Sequence, residues 1–161
     1  MDAPENDPSH GAAVDAWIER SIDHGSSAEI VSLFRGAFEA LWSRAITTLG
    51  VVTLTAIAER VLHTATTRYA FLSAINPRPN GDARWKQQLH DRLAATPRSE
   101  LIEGLRFGLI ELVTVIGRLT AEILTAELHA AISAVEAGPA ESTPRTGPHP
   151  VASAERAKAQ P

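Results

Sequence analysis

The sequence predicts an all-α fold, a bundle of about five helices in which two long segments, 28–72 and 97–136, pack antiparallel. Three observations carry this. Neither segment contains a proline beyond Pro97, which opens the second. Both repeat apolar residues at the 3.6-residue period of a helix, and 97–136 is apolar around most of its circumference. Aromatic content is only 5%, so the core must be aliphatic and Ala-rich, a composition that suits helices better than sheets.

Residues 1–11 are acidic, contain prolines and lack periodicity, so a disordered N-terminus is expected. The domain proper then spans 12–136. A first helix from Ala12 to about Asp23 places Val14, Trp17, Ile18 and Ile22 on one face, and His24-Gly25 ends it. Ser26 or Ser27 caps the next helix, with Glu29 in its first turn. Ile30, Phe34, Ala37, Phe38, Leu41, Ala45 and Leu49 keep the helical period, and Val51, Leu54, Ala58, Val61, Ala65 and Leu72 continue it. Gly50, inside the β-branched run from Ile46 to Val52, marks the expected kink or break.

The segment Asn76 to Asp82 holds two prolines and an Asn-Gly pair, which forbid a helix and favour turns. A short helix over 84–94 follows, with Trp85, Leu89 and Leu93 on its inner face. Thr96 then caps the second long segment, with Pro97 at its first helical position. Glu111, Thr114, Arg118 and Glu122 form its one narrow polar stripe, and Gly117 is the place for an interruption. Uninterrupted, this helix would extend roughly 60 Å at 1.5 Å per residue. Residues 137–161 are rich in Pro, Ala and small polar residues and read as a flexible tail. A faint internal echo links Leu49-Gly50 and the following LTAIAERVLH to Ile116-Gly117 and the following LTAEILTAELH.

The formal charge of −4 is unevenly spread. Residues 1–24 carry six acids against Arg20, while 25–136 is balanced at eleven acids and eleven bases. A neutral body with an acidic front lacks the electrostatic footprint of a nucleic-acid binder. Cysteine is absent, which removes disulfides and thiolate chemistry. The first dozen residues lack the basic start and apolar core of a signal peptide. The most apolar stretch, Ala45 to Ala58, holds four threonines and a glycine and reads as a soluble core helix rather than a membrane span. A cytoplasmic location is therefore expected, and the preference for Arg over Lys suits a GC-rich bacterial genome.

Catalytic chemistry finds little support. Glu59 with His63 and Glu122 with His129 lack the Glu-x-x-His spacing of di-metal bundles, so no metal is expected. The serines sit at helix starts or inside helices, without a G-x-S-x-G elbow, and no phosphate-binding glycine loop occurs. Arg84 and His90 flank Trp85 on a short helix and are expected to face water.

The expected function is therefore a non-enzymatic interaction or regulatory module, without cofactor, that pairs as a homodimer and serves an unidentified protein partner. The small residues Gly104 and Gly108 would admit a close neighbour, and Leu109, Leu112, Val113, Ile116 and Ile123 would form the shared seam. The alternative is a sensing bundle whose aromatics Phe34, Phe38, Trp42, Tyr69 and Phe107 converge on a small apolar ligand.

Overall fold

The computed structural model describes residues 8–22, 25–75, 91–93 and 95–136. The fold is all-α, with no strand among the described residues. Helix α1 covers Pro8–Ser21 and α2 covers Ser27–Thr66; a 3-10 turn follows at Ala70–Ala74. Helix α3 covers Arg98–Leu119 and α4 covers Thr125–Ser133. The expectations for residues 1–7, for the turn at 76–82, for most of the helix at 84–94 and for the tail at 137–161 lie outside the described residues.

α1 starts at Pro8, four residues earlier than the sequence suggests, so residues 8–11 belong to the folded body. Proline suits a first helical turn, where its missing N–H has no partner to lose. The added turn carries His10, which is fully buried, and the face below it sinks Val14 and Trp17 completely into the core. The Trp17 ring meets Phe34 edge to face at 5.2 Å, and its indole N–H donates to the Val135 carbonyl at 2.9 Å. α1 is thereby fixed to both α2 and the end of α4.

α2 opens with a capping box. The Glu29 N–H donates to the Ser26 hydroxyl at 3.3 Å, and the Ser26 N–H donates to the Glu29 carboxylate at 2.6 Å. Gly50 then breaks the helix, with φ 75° and ψ 160°, a conformation open in practice only to glycine. Two limbs result, 27–49 and 51–66, and residues from both face one cavity. Replacing Gly50 with valine should cost about 1–3 kcal/mol from backbone strain alone. A side chain there meets nothing within 4 Å, so no clash contributes. A urea midpoint unchanged in Gly50→Val would show that the bend is not required.

α3 makes the broadest contact with α2, and α4 the next. Thr96 is not the cap of α3: its hydroxyl bonds back to the Arg92 carbonyl at 2.9 Å, and Pro97 takes the position before the helix. The expected polar stripe is partly interior. Thr114 is buried, with its hydroxyl satisfied by the Ile110 carbonyl at 2.8 Å, whereas Arg118 and Glu122 are exposed.

The interruption of the second long segment falls after Gly117 rather than at it. Ala121 and Glu122 both adopt left-handed backbone, with φ 50° and 62°. The Glu122 N–H reaches the Gly117 carbonyl at 2.7 Å and the Ala121 N–H reaches that of Arg118 at 3.3 Å. This is a Schellman stop with alanine where glycine is usual. Each left-handed residue costs roughly 1–2 kcal/mol, offset here by the carbonyls it satisfies. The sequence echo thus marks two chain reversals built differently: Gly50 bends by its own freedom, whereas Gly117 stays helical and accepts the closing bond.

The core is aliphatic, as composition requires, and every helix contributes to it. Large apolar residues left exposed gather at the two reversals: Val51 and Val52 beside Gly50, Leu119 and Ile123 around the second turn. By length and composition α2 is apolar enough to cross a membrane, although only 22% of its most apolar window is buried.

Candidate functional site

The first limb of α2 sets Phe34, Phe38 and Trp42 on one face at intervals of four residues. The second limb, turned back at Gly50, brings Ala58, Val61, Leu62 and Ala65 against the same space. α3 closes it with Gly104, Leu105, Gly108 and Leu112, and Leu72, Ile75 and Leu93 complete the wall. Together these residues enclose a cavity of about 520 Å³, open on one side.

Its size follows from the residues present. Gly108 and Ala58 leave room where larger side chains would fill the space. Phe38, Trp42 and Leu62 pack against the core yet keep part of their surface free. At roughly 24 cal/mol per Å³, a sealed and empty void of 520 Å³ would cost about 12 kcal/mol. That matches the whole net stability of a typical domain, about 5–15 kcal/mol. A space of this kind persists when it is open or occupied, and it lies in the ordinary size range of ligand pockets.

The lining is apolar apart from Arg35, whose side chain is 71% exposed and marks the mouth. Glu39, one turn on, stands 3.9 Å from its guanidinium. Among the described residues no other lining side chain carries a charge.

A second, polar constellation ties α1 to the turn between α3 and α4. His10 Nδ1 lies 2.9 Å from His129 Nε2, and His10 Nε2 lies 3.5 Å from a Glu122 carboxylate oxygen. With His129 donating to Nδ1, the Nε2–H faces the carboxylate. That contact is too long for a hydrogen bond, which leaves His10 Nε2 without a hydrogen-bond partner in a buried position. Glu122 also accepts from the Thr125 hydroxyl. Its carboxylate folds over Gly117, where a Cβ would come within 2.7 Å of it. Because His129 Nε2 is engaged with His10, the three side chains do not converge on one ion, and no group of three or more His, Asp or Glu among the described residues could hold a metal.

No protein family matches the chain, and no curated protein or solved structure is similar to it. The function has to be read from the geometry.

Of the five aromatics expected at a pocket, Phe34, Phe38 and Trp42 line the cavity, whereas Tyr69 and Phe107 do not. Gly104 is the reason. The Phe71 ring and Tyr69 settle where its Cβ would be, at 2.6 and 3.1 Å, which carries Tyr69 to Phe107 at a ring distance of 5.9 Å. Arg68 caps that group, 5.1 Å from the centre of the Phe107 ring. The residues expected at a dimer seam are also placed differently. Gly104, Gly108, Leu109, Leu112, Val113 and Ile116 are buried by the chain's own helices, and Ile123 alone of the seven is exposed, at 79%. A helix apolar over most of its surface can be covered within one copy once the other long segment is bent around it.

No local pattern signals the ion pair between Asp15 and Arg106, which are 91 positions apart. Arg106 grips the carboxylate with both Nε and Nη2, the latter at 2.7 Å. These hydrogen bonds hold the Asp15 carboxyl below its usual range, desolvation opposes them, and the guanidinium charge adds to the lowering. A folded-state pKa below the unfolded one stabilises the fold above about pH 4, and that contribution disappears as pH falls through the folded value. Both side chains are about two-fifths exposed, so screening limits the gain to roughly 1 kcal/mol or less. Asp15→Asn should therefore lower stability slightly at pH 7 and make no difference near pH 2. Urea titrations at the two pH values would check this, and an equal loss at both would exclude the ion pair as its cause.

Proposed function

We propose that the protein is a non-enzymatic helical bundle that binds a small apolar molecule between the limbs of α2 and the face of α3. The cavity carries this reading, because three of the aromatics singled out by spacing line a space of ligand size whose one charge among the described residues sits at the rim. Such a module would act by holding its ligand and presenting the changed surface to a partner. The test is native mass spectrometry of the full chain as purified. One bound species above the 17.2 kDa chain mass is expected, or a raised melting temperature in screens of lipids, haem and flavins. An empty protein unmoved by any of these would end the ligand reading.

Self-association is the second reading. Val51, Val52, Leu119 and Ile123 gather exposed apolar surface at the two reversals, and a two-fold contact is the commonest way to cover such surface. Light scattering should then give about twice 17.2 kDa, and Val52→Asp with Ile123→Asp should return a monomer with an unchanged melt. A single-chain mass at every concentration removes this reading. In both cases we take α2 as a core helix of a cytoplasmic bacterial protein. Ten of its residues are buried in the bundle, and Gly50 breaks it near the middle. The balanced charge of 25–136 favours neither nucleic acid nor an anionic membrane as partner.

A further inference from the structure

Resting on that ligand reading, we infer that the cavity takes a single-chain amphiphile with an anionic head, of the fatty-acid class. The carboxylate sits at Arg35 and the alkyl tail runs inward between Phe38 and Leu112. Shape is the first argument. On the first limb the lining runs from Val31 to Trp42, about 16 Å of helical rise. Arg35 lies four residues into this stretch, and the row of Phe38 and Trp42 beyond it offers an alkyl chain about 10 Å of apolar wall.

Charge is the second argument. A wholly apolar ligand would be served by a wholly apolar lining, yet a guanidinium stands at the mouth. Its pairing with Glu39 is an exposed contact between residues four apart, with side chains 71% and 73% accessible. Such a pair is weak and yields readily to a better partner. A ligand carboxylate can meet the planar guanidinium through two parallel N–H···O bonds. The aliphatic stem of Arg35 meanwhile covers the first carbons of the tail. Glu39 is then a competitor for Arg35, so its removal favours the ligand.

The test uses the full chain, titrated calorimetrically with dodecanoate and with dodecanol below their aggregation limits. Dodecanoate should bind one to one and about tenfold more tightly than the alcohol. Arg35→Gln should remove about that factor for the acid and leave the alcohol unaffected, and Glu39→Gln should tighten the acid alone. Equal affinity of acid and alcohol, or an Arg35→Gln variant that binds the acid as well as the parent, overturns the head-group assignment while leaving an apolar site standing. If neither compound binds, this inference falls, and the ligand reading then stands or falls on the screen of haem and flavins.

Discussion

Replacing Trp17 with alanine should destabilise the protein by about 3–5 kcal/mol, the cost of emptying a large aromatic site in a packed core. Trp17 is completely buried, meets Phe34 edge to face and donates its indole N–H to the Val135 carbonyl. It is the point at which α1, α2 and the end of α4 meet. Trp17→Phe keeps the ring and loses the donor, leaving a buried carbonyl unpaired, and should cost about 1–3 kcal/mol. Equilibrium urea unfolding checks both values. A loss below 1 kcal/mol for the alanine variant would mean that α1 is not docked as described.

The second large effect belongs to the cavity. Gly108→Leu should abolish binding of an apolar ligand while leaving the protein folded. A Cβ at Gly108 meets the end of the Phe38 ring at 3.7 Å, ordinary contact, so the added carbons extend into free space. Exchanging a mid-helix glycine also removes backbone freedom from the unfolded chain, which favours the fold by about 0.5–1 kcal/mol. Gly108→Ala is the control, expected to bind and to melt at or above the parent temperature. Binding by the leucine variant equal to the parent's would place the ligand elsewhere. Gly104 is unsuitable for this purpose, because its Cβ would fall within 2.6 Å of Phe71 and disturb the wall itself.

Much of this architecture is legible in the sequence, for reasons that are local. The Ser26–Glu29 capping box, the buried face of Val14 and Trp17, and the break at Gly50 each rest on a few neighbouring residues whose chemistry admits little else. The stripe of Phe34, Phe38 and Trp42 is equally visible, because a four-residue spacing fixes a common face. What the sequence conceals depends on residues far apart. His10 belongs to the fold through His129, 119 positions away, and nothing in the acidic N-terminal segment announces it. The turn at Ala121 and Glu122 uses left-handed alanine and glutamate, types that carry no turn signal, so Gly117 draws the expectation about four residues too early. Tyr69 and Phe107 have the composition of pocket residues and pair with each other because Gly104 makes room for Phe71. The excess apolar surface of 97–136 is real, but the bend at Gly50 supplies an intramolecular cover that periodicity does not reveal.

The central claim is that an open apolar cavity lies between the two limbs of α2 and α3, and a xenon-pressurised crystal tests it most directly. Xenon occupies dry apolar cavities without needing polar contacts, so it reports the space independently of any ligand's chemistry. The account predicts xenon density between Phe38, Trp42 and Leu112 in the parent protein and its loss in Gly108→Leu. A crystal in which protein side chains fill that space, with no xenon bound there, would contradict it.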